Sequence, residues 1–237
     1  MKIAVDLHMH SALSPCGDNE MTPGNIVGMA LLKGLTAIAI TDHNSSYNVS
    51  AAMHFGSEFG IIVVPGIELE TAEEIHVICL FKTLEELADF QKIVSDALPE
   101  IKNRPEIFGN QYIYNTEDEI EDEYGKMLLT ATSISIDDVF ELVQQAGGVA
   151  YPAHVDRESY SVLRTLGVIP DNILTKYVEV STNCNMEELL NDFPEIAQHT
   201  FIKSSDAHYL DKILEEGFML DVSEISINGI IKAIKAI

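Results

Sequence analysis

Histidines and acidic residues recur in this chain just after short apolar stretches, where predicted strands end. The histidines in such positions are His8, His10, His43, His154 and His208, and the acidic residues are Asp6, Asp42, Glu68 and Asp206. Imidazole nitrogens and carboxylate oxygens together suit zinc, iron or manganese. Because these ligands outnumber the roughly four that one tetrahedral ion takes, the set predicts a multinuclear metal site.

The clearest single motif is Asp6-Leu7-His8-Met9-His10, which continues an alternating apolar stretch that begins at Ile3. In extended backbone, Asp6, His8 and His10 project to the same side. Two imidazoles at this spacing can bind one cation, and Asp6 can orient a ring from behind. The alternative is an edge strand with two solvent-facing histidines.

The other motifs are weaker when each is taken alone. Thr41-Asp42-His43 and Ser205-Asp206-Ala207-His208 repeat the pairing of acid and imidazole, but such an Asp can also be a helix N-cap beside a surface imidazole. Glu68 could be an ordinary loop glutamate, and His154 could be a hydrogen-bonded core histidine. The histidines without such a context are expected to have surface or structural roles, and they are His54 and His199.

Strand-like apolar stretches alternate with helical patterns, which is typical of a parallel α/β architecture. Seven strands are predicted, at about 3–8, 36–41, 61–64, 76–81, 149–154, 177–180 and 200–204. Thr22-Pro23 and Thr83 are expected to begin helices, and glycines such as Gly60 to end them. The carboxyl ends of parallel barrel strands open onto one face, so the motifs are expected to meet there.

The whole chain, residues 1–237, is expected to form a single barrel domain. Residues 99–130 are less regular and are expected to be an acidic irregular insertion in one α/β connection. Their acidic run, 117–123, is interpreted as a solvated loop or helix face in preference to a metal site. An apolar stripe from Ile227 to Ile234 is expected to pack the final helix into the core.

The composition restricts the expected partners. With 14 Lys+Arg against 38 Asp+Glu the formal charge is −24, which argues against gripping nucleic acid or anionic membrane by the general surface. No apolar run approaches the roughly 18 residues of a spanning helix, and no signal peptide is visible. Three widely spaced cysteines suit a reducing compartment. We expect a cytoplasmic protein that binds no membrane, and the acidic exterior disfavours long polynucleotide substrates, though not their short ends.

In chain order, the motifs D-x-H-x-H, T-D-H, G-I-E, A-H-x-x-R and S-D-A-H resemble those of the PHP family, named for polymerase and histidinol phosphatase. They span Asp6 to His208. The resemblance implies a distorted seven-stranded, TIM-like (β/α)7 barrel that holds two or three divalent ions of zinc, manganese or iron. It implies one ion at His8, His10, Glu68 and Asp206, a second at Glu68, His76 and His154, and a third at His43 and His208.

The resemblance also raises two questions about individual ligands. Family members often supply a His or Asp to the third ion from the loop after the first strand, where this chain has Ser14-Pro15-Cys16-Gly17-Asp18. Either Cys16 or Asp18 must then substitute, or the third site is weaker; Cys16 could also be inert. His76 begins its predicted strand, and only the resemblance brings it into the ligand set.

The implied chemistry is hydrolysis of a phosphate ester, because clustered cations polarise phosphoryl oxygens and lower the pKa of bound water. We expect a metal-dependent phosphoesterase acting on a small phosphorylated metabolite or nucleotide. Arg157, three residues after His154, is the candidate for a bidentate grip on the phosphate, although it could form a surface salt bridge instead. Asp42 is expected behind His43, and Asp6 behind the histidines of the first strand.

Two other functions are compatible with parts of the pattern. An amidohydrolase-like barrel also begins with H-x-H, but it usually has a bridging lysine at the end of a middle strand. This chain has Glu68 there, and Lys203 lies within the last predicted strand instead. A non-catalytic PHP scaffold or binding module would carry degenerate ligands, against which the near-complete set argues. Histidinol phosphate is supported by no particular residue, and the sequence does not predict the oligomeric state.

Overall fold

The computed structural model of the protein describes residues 1–173 and 175–235. Residues 174, 236 and 237, which the single-domain prediction also covers, lie outside the described part. The strands within it are β1 (Lys2–Asp6), β2 (Ala37–Ile40), β3 (Ile62–Glu70), β4 (His76–Leu80), β5 (Tyr112–Tyr114), β6 (Ile120–Glu123), β7 (Val149–Pro152), β8 (Tyr177–Val180), β9 (Thr200–Lys203) and β10 (Phe218–Asp221). The α-helices are α1 (Pro23–Leu32), α2 (Val49–Phe59), α3 (Leu84–Ala97), α4 (Pro105–Phe108), α5 (Ile136–Gln145), α6 (Val162–Leu166), α7 (Met186–Asp192) and α8 (Ile227–Lys235).

A curled six-stranded sheet in the order β10-β1-β2-β3-β4-β7 forms half of a barrel. Strands β8 and β9 pair in parallel as a separate sheet, and a bridge between Met9 and Ala207 links the end of β1 to the segment after β9. The predicted α/β class is confirmed. The closed seven-stranded count stays a prediction, because the sheets that the strands form here have six and two members.

The sheet is mixed, not parallel as predicted. Strands β1, β2 and β3 are parallel, but β4 runs antiparallel to both β3 and β7, and β10 runs antiparallel to β1. Strand β3 is also longer than predicted, because Pro65-Gly66 does not turn the chain. A Cβ on Gly66 would lie 2.8 Å from Thr41 Cγ2, so glycine is needed there for close packing of neighbouring strands.

The helix boundaries predicted at Thr22, Thr83 and Gly60 are found in the structure, because the caps form there. The side chains of Thr22, Thr83 and Ser135 accept hydrogen bonds from backbone N–H groups of α1, α3 and α5, which satisfies donors that have no partner within the helix. Gly60 ends α2 at φ +74°, a conformation that glycine adopts without steric cost.

The core consists of apolar side chains on both faces of the curled sheet. Inside the half-barrel, alternate strand residues such as Leu7 and Tyr151 pack together with Ile230 and Ile234 of α8. The predicted packing of the final helix is confirmed. A second cluster lies between β2 and the helices α1 and α2. Among the described residues, no helix is long and apolar enough to cross a membrane.

The segment 99–130 contains the short helix α4 and the β5–β6 hairpin, so it is more regular than predicted. The buried amide of Gln111 donates to the carbonyls of Tyr124 and Lys126, which fixes the base of the hairpin. Most of the acidic run is exposed. Asp118 differs from its neighbours, because it accepts hydrogen bonds from Thr22 Oγ1 and Gly24 N at the start of α1.

Candidate metal centre

The predicted ligands meet at one rim of the curled sheet. His8 and His10 follow β1, His43 follows β2, and Glu68 lies near the end of β3. Three more ligands follow β7 and β9, and they are His154, Asp206 and His208. The carboxyl ends of parallel strands share an edge, which explains why distant segments of the chain converge there.

His76 reaches the same rim from the opposite end of a strand. Strand β4 is antiparallel to β3, and its first residue, His76, pairs with Glu70 at the end of β3. The start of β4 therefore lies beside the ends of its neighbours. In a parallel sheet, the first residue of a strand would lie at the opposite edge from the other ligands, which is why the strand pattern of the sequence did not place His76 in the site.

The carboxylate of Glu68 is the centre of the cluster, with five imidazole rings around its two oxygens. Its Oε1 lies 2.9 Å from His76 Nδ1, 3.2 Å from His8 Nε2 and 3.3 Å from His154 Nε2, and its Oε2 lies 2.8 Å from His43 Nδ1 and 3.4 Å from His10 Nε2. Asp206 Oδ1 lies 2.9 Å from His10 Nε2 and 3.3 Å from His8 Nε2. These side chains are buried, with Glu68 only 1% exposed.

The donor set fits divalent cations better than it fits a hydrogen-bond network. Among the described residues, neither oxygen of Glu68 has a well-directed hydrogen-bond partner, and neither do Asp206 Oδ1 and His43 Nδ1. Buried polar atoms left in this way are costly unless a cation lies between them. Three groups have ligand atoms within 4.8 Å of one another, and they are His8, His10 and Glu68; His43, Glu68 and His76; and His10, His43 and His208.

Hydrogen bonds on the far side of two rings direct their Nε2 atoms into the cluster. His8 Nδ1 donates to Glu179 Oε1 at 2.8 Å, and His10 Nδ1 donates to Ser14 Oγ at 3.0 Å. With the protons on Nδ1, the two Nε2 lone pairs face each other at 3.1 Å. Fixing the tautomer from behind is how metal-ligating histidines are normally held.

Glu179 was missed in the sequence analysis. It is 1% exposed on β8 and also accepts a hydrogen bond from the backbone N–H of His154. It occupies the place behind His8 that was expected for Asp6. The signal was visible as a charged residue inside the apolar strand Tyr177-Val178-Glu179-Val180, since a carboxylate is rarely buried without a partner.

Asp6 bonds to backbone N–H groups and not to a histidine ring. Its oxygens accept hydrogen bonds from the backbone N–H groups of Ser205 and Leu214, and complete burial raises its pKa to about 6. The carboxylate therefore ties β1 to the segment after β9, which carries Asp206. Asp6 supports the rim through the backbone rather than through a histidine ring.

Asp42 supports His10 rather than the ring of His43. Its carboxylate accepts hydrogen bonds from Ser11 N, Ser11 Oγ and Ser14 Oγ at 2.6–2.7 Å. Ser14 in turn accepts from His10 Nδ1 and from the backbone N–H of His43. Burial raises the pKa of Asp42, and the three hydrogen bonds oppose that effect. The serines that carry this link were not predicted.

The buried charges are mutually dependent. Burial opposes a charge on His8, but the carboxylates of Glu179, Glu68 and Asp206 outweigh it and raise the pKa of His8 well above its usual range. Burial likewise opposes a charge on Glu68, yet nearby imidazoles hold its pKa well below the usual value. The pKa of His10 is lowered well below its usual range by burial and by two neighbouring imidazoles. Without bound ions, these charges keep Glu68 an anion and His10 a neutral imidazole, and they favour a second proton on His8 that a bound cation would displace from Nε2.

Cys16, not Asp18, approaches the third group of ligands. Cys16 is an exposed residue. Partial desolvation raises the pKa of its thiol, but hydrogen bonds from His208 and His43 outweigh that effect and bring the pKa to about 7. The carboxylate of Asp18 instead accepts from the backbone N–H of Glu20 in its own turn. His208 Nδ1 donates to the carbonyl of Asp206 at 2.9 Å, which leaves Nε2 as its ligand atom.

Arg157 lies at the mouth of the site. Its Nη1 is 2.5 Å from Asp206 Oδ2, and its side chain is 44% exposed. It lines a cleft of about 540 Å³ together with the site residues Cys16, His43, His76, His154, Asp206 and His208, and with Glu70, Leu129, Glu158, Ser159 and Tyr160. The remaining histidines lie elsewhere, since His54 is exposed on α2 and His199 Nδ1 bonds to the carbonyl of Thr175.

A family model of the PHP domain matches residues 6–183, about three quarters of the chain. The chain belongs to the PHP family. The resemblance inferred from the motifs is therefore confirmed. Asp206 and His208 lie beyond the matched range, and the structure places both beside the matched ligands.

Curated relatives match the chain over short segments. A phosphoribosyl 1,2-cyclic phosphate 1,2-diphosphodiesterase of Eggerthella lenta is 31% identical over 80 residues, which cover 32% of this chain and 29% of that protein. A 5'-3' exoribonuclease of Haemophilus influenzae is 32% identical over 78 residues, 32% of this chain and 27% of that protein. In each case the match spans less than a third of the relative's length. PHP membership and these relatives support the predicted class, metal-dependent phosphoric ester hydrolase.

Solved structures show the same fold at low identity. Endonuclease Q of Pyrococcus furiosus has a TM-score of 0.68 at 21% identity, over 100% of this chain and 56% of that chain. A structure of endonuclease Q in complex with a 27-mer duplex that carries an abasic lesion at the active site has a TM-score of 0.65 at 19% identity, over 100% and 57% of the two chains.

The expectation of a small phosphorylated substrate, with long nucleic acid disfavoured, is wrong. Two of the relatives are named exoribonucleases, and a protein of the same fold holds a DNA duplex. The formal charge of −24 describes the whole surface, whereas a substrate phosphate would be met locally at the rim. Bound cations and a side chain such as Arg157 can reverse the sign of the field there.

Proposed function

We propose that the chain hydrolyses phosphodiester bonds of nucleic acid at a multinuclear metal site. The observation that carries the proposal is the buried carboxylate of Glu68, which five imidazole rings surround without a well-directed hydrogen bond to either oxygen. Nucleases among the relatives support the choice of nucleic acid as the substrate class.

The proposed ligand sets follow the family pattern, and the distances around Glu68 support the first two. One ion takes His8, His10, Glu68 and Asp206; a second takes Glu68, His76 and His154; a third takes His43, His208 and Cys16. Glu68 would serve both of the first two sites, because its Oε1 lies near His8 of the first set and near His76 and His154 of the second. Mixed nitrogen and oxygen donors suit zinc, manganese or iron at the first two sites, and a thiolate at the third favours zinc.

Divalent ions in these sites would polarise the phosphoryl oxygens and offset the charge that develops on phosphate and leaving group. The protein's own contribution is to hold the ligands in place through Glu179, Ser14 and Asp42. Arg157 adds a fixed positive charge at the cleft, beside Asp206. A guanidinium presents several N–H donors, so it can bond to Asp206 and to a phosphate oxygen at the same time.

The amidohydrolase-like alternative lacks a structural basis in the described residues. The bridging position belongs to the Glu68 carboxylate, and Lys203 is exposed and donates to the carbonyl of Thr182. The scaffold alternative predicts degenerate ligands, whereas the buried side chains converge within hydrogen-bonding distance of one carboxylate.

The test is hydrolysis of a 5'-labelled single-stranded oligonucleotide and of bis(p-nitrophenyl) phosphate by metal-loaded protein. His8→Ala and His10→Ala should each lower turnover of both substrates by about 100-fold or more, whereas His54→Ala, at an exposed histidine, should leave it unchanged. Full activity of His8→Ala in metal-saturated buffer would exclude the proposed site. Turnover of the small diester without cleavage of the oligonucleotide would exclude the proposed substrate class.

A further inference from the structure

Tyr160 lies on the wall of the cleft, one ring away from the metal ligands. Its ring stacks on that of His76, with centroids 4.5 Å apart and an interplanar angle of 17°. His76 Nδ1 is itself 2.9 Å from Glu68 Oε1. Tyr160 is nevertheless 45% exposed. One face of the phenol ring is therefore covered by His76, and the exposed surface borders the cleft.

The backbone holds Tyr160 in this place at a cost. Its φ is +58°, in the left-handed region that bulky residues rarely adopt. Its carbonyl accepts the backbone N–H of His76 at 3.0 Å, and the next residue, Ser161, donates its hydroxyl to the carbonyl of Val155 at 2.7 Å. The loop 155–161 is thereby tied to the strand that carries His76, and a strained backbone held in this way is often part of a functional site.

We propose that Tyr160 is the stacking platform for the base of the nucleotide whose phosphate binds at the metal centre. The inference rests on the proposed function. A base has two π faces, and stacking on an aromatic side chain is tolerant of sequence. The ring order would be His76, Tyr160 and base, with the phosphate directed toward Arg157, which lines the same cleft. Half-buried Leu129 provides further apolar surface in the cleft.

The proposal is distinct from a simple shielding role for Tyr160. A shield would keep water from His76, and its removal would weaken metal binding without regard to the base. A stacking platform contributes only when a base is present. The two roles are separated by comparing ligands that share a phosphate and differ in the base.

The test measures binding of thymidine 5'-monophosphate and of 2-deoxyribose 5-phosphate to metal-loaded protein by isothermal titration calorimetry. The wild type should bind the nucleotide about 5- to 150-fold more tightly than the sugar phosphate. Tyr160→Leu should reduce this ratio to about one while affinity for the sugar phosphate is retained, and Tyr160→Phe should preserve the ratio. Tyr47→Leu, at a tyrosine with 44% exposure outside the cleft, is the matched control.

Each other outcome counts against the proposal. Equal affinities of the wild type for the two ligands, no measurable binding of either, or an unchanged ratio in Tyr160→Leu would overturn base stacking. Loss of metal from Tyr160→Leu, with a parallel loss of affinity for both ligands, would assign the shielding role instead. Failure of the proposed function is seen separately, as absence of oligonucleotide cleavage by the wild type, because the binding assay needs no turnover.

Discussion

Replacing Glu179 with glutamine should weaken metal binding at His8 while the fold is retained. Glutamine keeps the shape of the side chain, and its oxygen can still accept from His8 Nδ1, now 2.8 Å from the carboxylate. The charge is lost in a place where both side chains are buried. A charge-assisted hydrogen bond is worth about 1.5–3 kcal/mol and a neutral one about 0.5–1.5 kcal/mol. The difference of about 1–1.5 kcal/mol predicts a roughly 5- to 15-fold loss of affinity for the ion at His8.

The assay is competition with a chromogenic chelator for zinc, followed by turnover of bis(p-nitrophenyl) phosphate at limiting and at saturating metal. Glu179→Gln should lose activity at limiting metal and recover most of it at saturation. Glu195→Gln, at an exposed glutamate, is the matched control, and thermal unfolding with excess metal verifies the fold. Zinc affinity equal to that of the wild type would refute the claim that the charge of Glu179 strengthens ion binding at His8.

Two further predictions concern the third site and the insertion. In metal-free protein, alkylation of Cys16 by iodoacetamide should rise with pH through a midpoint near 7, because imidazoles hold its thiol pKa there and the thiolate is the nucleophile. Cys184, whose pKa burial raises to about 11, should stay largely unmodified in peptide mass spectra. Equal rates of alkylation at the two cysteines would contradict the account. Asp118→Ala should lower the free energy of unfolding in urea by about 0.5–2 kcal/mol, because the first turn of α1 loses the acceptor for Gly24 N–H. Glu121→Ala, at an exposed residue, should change it by less than about 0.5 kcal/mol. Equal effects of the two substitutions would show that Asp118 has no structural role.

Local chemistry made much of the fold predictable. The threonine N-caps, Pro23 at the start of α1 and Gly60 after α2 marked helix ends correctly, because these residues act within a few positions of themselves. The direction of β4 and the pairing of β10 with β1 depend on contacts far apart in sequence. No local pattern reveals such contacts, so the sheet was wrongly expected to be parallel.

In the site, too, local motifs were predictable from the sequence, and roles that depend on distant contacts were not. Short motifs identified the histidines and carboxylates that meet at the rim, since their residue types are those that metals require. The supporting residues were harder to assign: Asp6 holds backbone, Asp42 acts through Ser14, and the ring of His8 is oriented by Glu179. These roles depend on which side chains become neighbours after folding. The substrate class was mispredicted because the net charge of a chain does not show how the charges are distributed over its surface.

Metal content is the most direct test of the account. The purified chain, loaded with zinc or manganese and freed of excess metal, should contain two or three ions by mass spectrometry, and anomalous diffraction should place two of them on either side of Glu68. Glu68→Ala should lose both bridged ions, because it removes the ligand that they share. Fewer than one ion per loaded chain, or ions bound away from Glu68, would contradict the central claim that this carboxylate organises a catalytic metal cluster.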